Sequence, residues 1–138
     1  MEWTPEELAA HAGGTLVQGG AGKISGAFID SRRPLAGGVF VPIVAARDGH
    51  DFIEGAVEGG AAAVLIGGAR PIPALPAGVT VVRVEDTLEA LTSLGSRARA
   101  AVSGPVVAIA GSNEHVERRR CHHGRWTCTR RTGPEVCR

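Results

Sequence analysis

A chain of 138 residues with a formal net charge of +1 has room for one domain with a real core and a tail. Three phenylalanines, two tryptophans and no tyrosine argue against a stacking surface for nucleic acid, so no nucleic-acid partner is expected. No apolar run approaches bilayer length, the acidic first eleven residues do not read as a secretory signal, and residues 1–113 lack cysteine; a cytoplasmic monomer without disulfides or membrane contact is the expectation.

Thr4-Pro5-Glu6-Glu7 predicts a helix start, with Thr4 as N-cap, Pro5 at the first helical position and Glu7 closing a capping box. Gly13-Gly14 ends that helix, residues 15–17 form a brief strand, and Gly19, Gly20 and Gly22 turn the chain. Residues 23–29 alternate loosely and lead into Asp30-Ser31-Arg32-Arg33-Pro34, and residues 38–44 are apolar enough for a buried strand.

Asp48-Gly49-His50-Asp51 predicts a turn, with Asp51 as N-cap of a helix from Phe52 to about Gly59. Residues 62–66 and 79–84 read as strands separated by a Pro/Gly-rich connection. Asp86-Thr87-Leu88-Glu89 opens the longest helix, whose apolar stripe is Leu88, Leu91, Leu94 and Ala98. Gly104-Pro105 stops it, and residues 106–110 are a further strand. Strands alternating with helices predict an α/β domain with a small mixed or parallel sheet and flanking helices.

That last strand runs into Gly111, Ser112 and Asn113, which is how a phosphate-binding loop begins. Such a loop needs backbone N–H groups at a helix start, a lysine for the terminal phosphates and a hydroxyl for magnesium. The glycine and lysine positions are instead Glu114 and His115, and the Glu114 carboxylate repels the anion the loop should hold. Composition changes at the same point. Residues 1–113 carry 8 Lys/Arg against 11 Asp/Glu, a balance of −3, and 21 alanines. Residues 114–138 carry 7 Arg against 3 Glu, a balance of +4, with all three cysteines and no alanine. A reading-frame change after Asn113 accounts for this, and the tail, with only Val116 and Val136 as aliphatics, is expected to be disordered. The rival reading is a stand-alone binding or regulatory module whose tail is purposeful, with Cys121, His122 or His123, Cys128 and Cys137 as zinc ligands. Their spacing matches no short zinc knuckle, so no metal site is assigned.

Three stretches taken together carry a family likeness. They are Ile29-Asp30-Ser31-Arg32 with Gly38-Val39-Phe40-Val41-Pro42; Asp48-Gly49-His50-Asp51-Phe52 with Ala56 and Gly60-Ala61-Ala62; and Val84-Glu85-Asp86-Thr87 with Ala90-Leu91 ahead of the 106–113 segment. In order and spacing they resemble the N-terminal domain of a Mur ligase, over about residues 3–113. The Asp-Gly-His-Asp-Phe stretch and the Gly-Ser-Asn ending favour the branch that adds D-alanyl-D-alanine over the branch that adds the third amino acid. The resemblance implies a three-domain peptidoglycan-precursor ligase. Its first domain holds the UDP part of a UDP-MurNAc-peptide, its central domain uses ATP and magnesium to phosphorylate the substrate carboxylate, and its last helps bind the amine. The corresponding division here is residues 1–104 for the UDP-binding domain, 105–113 for the first strand and partial P-loop of the central domain, and 114–138 for an unrelated tail. No catalytic residue, and no ATP or magnesium site, is carried over. The chain departs from the family at Val44-Ala45-Ala46-Arg47, one residue shorter than the usual turn, and at Pro42, where alanine is usual.

The resemblance implies that Ser31 hydrogen-bonds uridine, that Arg32 and Arg47 meet phosphate and that His50 donates to a diphosphate oxygen. Read from the residues alone, Asp30 and Ser31 cap a turn, Arg32 pairs with Asp30, Arg47 is a solvated loop charge and His50 bonds its own turn. Glu85 and Asp86 resemble a catalytic acid pair, but helix capping explains Asp86.

Overall fold

Thr4 sets the first element in the computed structural model, which describes residues 2–104, Val106 and the backbone of residues 121–122 and 125–126. The Thr4 hydroxyl accepts from Glu7 N–H at 3.2 Å and the Glu7 carboxylate accepts from Thr4 N–H at 2.9 Å, the expected capping box. Helix α1 (Pro5–Ala12) then runs to Gly13, whose φ of +66° is left-handed and suits glycine. Gly14 is fixed by a close approach: a Cβ there would stand 2.4 Å from the Arg83 carbonyl oxygen.

The strands are β1 (Thr15–Gln18), β2 (Ala27–Phe28), β3 (Val39–Phe40), β4 (Ala63–Gly67) and β5 (Thr80–Val84), in the spatial order β1-β5-β4-β3-β2. Strands β2 to β5 are mutually parallel, and β1 joins β5 antiparallel, giving the mixed sheet expected of the sequence. Helix α2 (Ile53–Glu58) follows β3, and α3 (Thr87–Ala100) follows β5. Alternate residues of the central strands feed two cores. Val39, Ala63, Leu65, Val82 and Val84 pack with Leu8 of α1 and Leu94 of α3. Phe40, Val64, Ile66 and Val81 pack with Ile53 and Ala56 of α2. Helices on both faces bury every residue of β4, which is why that strand reads as a continuous apolar run.

Strand β1 carries a bulge between Leu16 and Gln18. Beyond it the Gln18 side-chain amide donates to the Pro76 and Val79 carbonyls at 2.9 and 2.8 Å, continuing the attachment by other means.

Three local expectations change. Only Val39 and Phe40 of residues 38–44 are paired as a strand, although burial extends through Pro42, because the chain leaves the sheet for the turn that follows. Asp48, not Asp51, is the capping residue after β3: its carboxylate accepts from His50 N–H at 3.0 Å and starts a 3-10 turn (Gly49–Phe52) that delays α2 to Ile53. In α3 the buried face is Thr87, Ala90 and Leu94, while Leu88 is 58% exposed. Asp86 caps that helix as expected, accepting from Leu88 and Glu89 N–H at 2.7 and 2.9 Å.

The chain divides into two units, Met1–Ser103 and Gly104–Arg138. In the second, the described backbone forms an antiparallel pair, β6 (Cys121–His122) with β7 (Arg125–Trp126). Of the expected strand over 106–110, only Val106 is described, exposed and outside any strand; residues 107–110, the loop residues Gly111, Ser112 and Asn113, and the rest of the tail expected to be disordered lie outside the described residues.

Candidate functional site

Because β2 to β5 are parallel, the segments that leave them all emerge at one edge of the sheet, where ligands of α/β folds gather. Asp30-Ser31-Arg32 follows β2, the 41–52 segment follows β3, the 68–79 segment follows β4, and Glu85-Asp86 leads from β5 into α3. The four proposed ligand-contacting residues, Ser31, Arg32, Arg47 and His50, come from the first two of these segments.

Asp30 organises the first segment. Its carboxylate accepts from Arg32 N–H at 3.1 Å and from the Arg32 guanidinium at 2.9 and 3.0 Å. The guanidinium hydrogen bonds hold the Asp30 carboxyl below its usual range, and Asp30 in turn raises Arg32. The Arg32 side chain is 87% exposed, so this is a solvated pair of small energetic value that an incoming anion can replace. Ser31 Oγ makes no hydrogen bond among the described residues.

The second segment is wound tightly. Val44 bridges Asp48, Ala45 N–H donates to the Arg47 carbonyl at 3.0 Å, and Gly49 N–H donates to the Ile43 carbonyl at 3.0 Å. A side chain at Gly49 would meet the Ile43 backbone at 2.7 Å, so only glycine fits. Arg47 is exposed at the turn.

His50 bonds its own turn, as the reading from the residues alone expects. Its ring is 9% exposed, Nδ1 lies 2.6 Å from Asp48 Oδ1, and Nε2 accepts the Gly67 N–H at 3.1 Å. Both ring nitrogens are therefore engaged within the protein, which gives the ring a positioning role beside the diphosphate contact that the resemblance implies. His50 fastens the end of β4 to the turn after β3.

Arg70, absent from the expected set, completes the arrangement by donating to Asp48 Oδ2 at 2.9 and 3.2 Å. The His50 backbone N–H first, then the His50 ring and Arg70, hold the Asp48 carboxyl at about 2. Arg83 of β5 grips the loop from behind, donating to the Gly68 and Arg70 carbonyls at 2.5 and 3.0 Å. Between the 48–53 turn and the 70–73 segment lies an open cleft of about 370 Å³. Of the expected site residues it takes in His50 alone. The Asp48–His50 spacing was a visible signal for their pairing; Arg70 is 22 residues from Asp48, and nothing local announces it.

Among the described residues no group of three or more His, Cys, Asp or Glu side chains is arranged to hold a metal, and no helix is long and apolar enough to cross a membrane.

The fold is a small α/β domain whose loops gather at the carboxyl edge of its parallel strands. No protein-family profile matches the chain. It is 37% identical over 91 residues to UDP-N-acetylmuramoyl-tripeptide–D-alanyl-D-alanine ligase of Bacillus subtilis, a match covering 65% of this chain and 20% of that protein. It is also 37% identical over 111 residues to UDP-N-acetylmuramoyl-L-alanyl-D-glutamate–2,6-diaminopimelate ligase of Geobacter metallireducens, covering 75% of this chain and 20% of the relative. A crystal structure of MurF from Acinetobacter baumannii superposes with a TM-score of 0.61 at 27% identity, over 72% of this chain and 21% of that one. The chain carries a Mur ligase N-terminal domain. It spans about one fifth of the length of the relatives it matches.

Proposed function

We propose that residues 1–104 are the UDP-sugar-binding part of an ATP-dependent peptidoglycan-precursor ligase, of the branch that joins D-alanyl-D-alanine to UDP-MurNAc-tripeptide. Alone, this part binds the UDP end weakly. The observation that carries the reading is the placement of two exposed arginines, Arg32 and Arg47, in the segments that follow the neighbouring parallel strands β2 and β3. A diphosphate at that edge meets two cations whose existing contacts are solvated, and Ser31 Oγ, next to Arg32 in sequence, is a donor for the nucleoside. His50 contributes by fixing the turn that carries Arg47.

The chain does not provide for ATP and magnesium, which the family uses. Glu114 and His115 stand where a loop glycine and the phosphate-binding lysine belong, so this segment lacks the groups that would hold the nucleotide's terminal phosphates. The proposed activity at residues 1–104 is recognition.

Titrating UDP into isotopically labelled protein and following amide signals tests the reading. A dissociation constant near 1 mM, equivalent to about 4 kcal/mol, is expected, with shifts confined to residues 29–33 and 43–51. Arg32→Ala weakens the binding if its guanidinium meets phosphate. Silence of those amides at several times that concentration would remove the UDP-binding assignment.

A further inference from the structure

The contact between His50 and Gly67 has a fixed polarity. A backbone N–H can only donate, so Nε2 of His50 bears the lone pair and the ring proton sits on Nδ1, donating to Asp48. We propose that this contact is a proton-operated latch: neutral His50 ties the end of β4 to the 48–53 turn, and proton uptake at Nε2 sets two donors against each other and releases the tie.

The charges around the ring favour a local response. Asp48 and Asp51 lie on its own turn and Arg70 lies across the cleft, already paired with Asp48. The start of α3 brings the neutral Thr87 methyl against Gly67, with the charged cap Asp86 next to it in sequence and turned to the Leu88 and Glu89 N–H groups. Arg83 of β5 acts on the carbonyl side of the loop, away from the imidazole contact. A second proton on the ring leaves the Nδ1–Asp48 bond intact and removes only the bond to Gly67. The loop after β4 stays fastened, because Gly68 N–H donates to the Val84 carbonyl at 2.9 Å and Arg83 holds two of its carbonyls. What is lost is the imidazole tie between the 48–53 turn and the end of β4, while the Asp48–Arg70 pair still spans the cleft. The cleft therefore has a latched form and an acid-unlatched form, which differ in the His50–Gly67 bond. The inference rests on these bonds alone and stands apart from the UDP assignment.

Nitrogen-15 spectra of the full labelled chain, recorded from about pH 8 to about pH 5, test it. The expected result is the Nδ1–H tautomer of His50 at the upper end. The Gly67 amide signal is expected to move with the same midpoint as the His50 ring, while the buried methyls of Ile24 and Leu94 stay fixed. In Asp48→Ala the tautomer becomes mixed and the Gly67 movement shrinks. An Nε2–H tautomer in the parent protein, or a Gly67 amide that ignores the His50 titration, would overturn the latch. So would core methyls that move at the same midpoint, since the event would then be global unfolding.

Discussion

Thr87, the first residue of α3, donates its hydroxyl to the Pro42 carbonyl at 2.6 Å and so joins the segments after β5 and β3 across the end of β4. The two residues are far apart in sequence and both are buried. Thr87→Val keeps the shape and removes the donor, stranding a carbonyl away from water. A loss of about 1–3 kcal/mol is expected from urea denaturation. Thr87→Ser, which keeps the hydroxyl, is expected to lose less, and equal losses for the two would show that only the methyl group matters.

Two of the three leucines of α3, Leu88 and Leu94, separate face from spacing. Leu94 is 1% exposed among both helices and the sheet, so Leu94→Ala is expected to cost about 2–5 kcal/mol. Leu88 is 58% exposed, and Leu88→Ala is expected to change stability by less than about 0.5 kcal/mol. Thermal or chemical denaturation of the pair checks this, and comparable losses would place Leu88 in the core.

Acid sensitivity follows from Asp48. Its carboxyl titrates at about 2 in the folded chain against an ordinary 3.8, because His50 and Arg70 donate to the ionised form. A depressed folded value adds stability above the ordinary value, and that stability is lost as pH falls from there toward about 2. Asp48→Asn is expected to be less stable at neutral pH and to show a shallower decline over that acid interval. An unchanged slope in denaturation curves taken at successive pH values would assign the decline to other carboxyls, Asp30 among them.

Magnesium-ATP is expected to leave the melting temperature unchanged, because Glu114 and His115 occupy the positions of the loop glycine and lysine. Ligand that binds only the folded state must raise that temperature by mass action. A rise of several degrees at millimolar magnesium-ATP would contradict the reading of residues 111–115.

Most elements were legible because local chemistry and tertiary packing agree there. The Thr4 capping box, the Asp86 cap and the buried runs of β4 and β5 all sit where the residues place them. The failures are places where a local signal had two solutions. Asp48 and Asp51 are both competent caps, and the choice went to Asp48 because its carboxylate also meets the His50 ring and Arg70. Leu88 fits a helical stripe, but the face that α3 buries is that of Thr87, Ala90 and Leu94, and Leu88 lies off it. Of the site, the loops were readable from their turn residues. The Arg70–Asp48 bond was not, since it depends on the parallel pairing of β3 with β4 and on no sequence neighbour.

The sheet's two margins also decide how this domain meets its own copies. A long, flat, unpaired strand invites a second molecule to continue the ladder. Here β2 offers only two residues, and β1 breaks its regular spacing at the bulge before Gln18 turns its amide inward to Pro76 and Val79. Neither margin presents a template of useful length. The ladder ends within the molecule, and a concentrated solution of this domain has little reason to assemble through its strands.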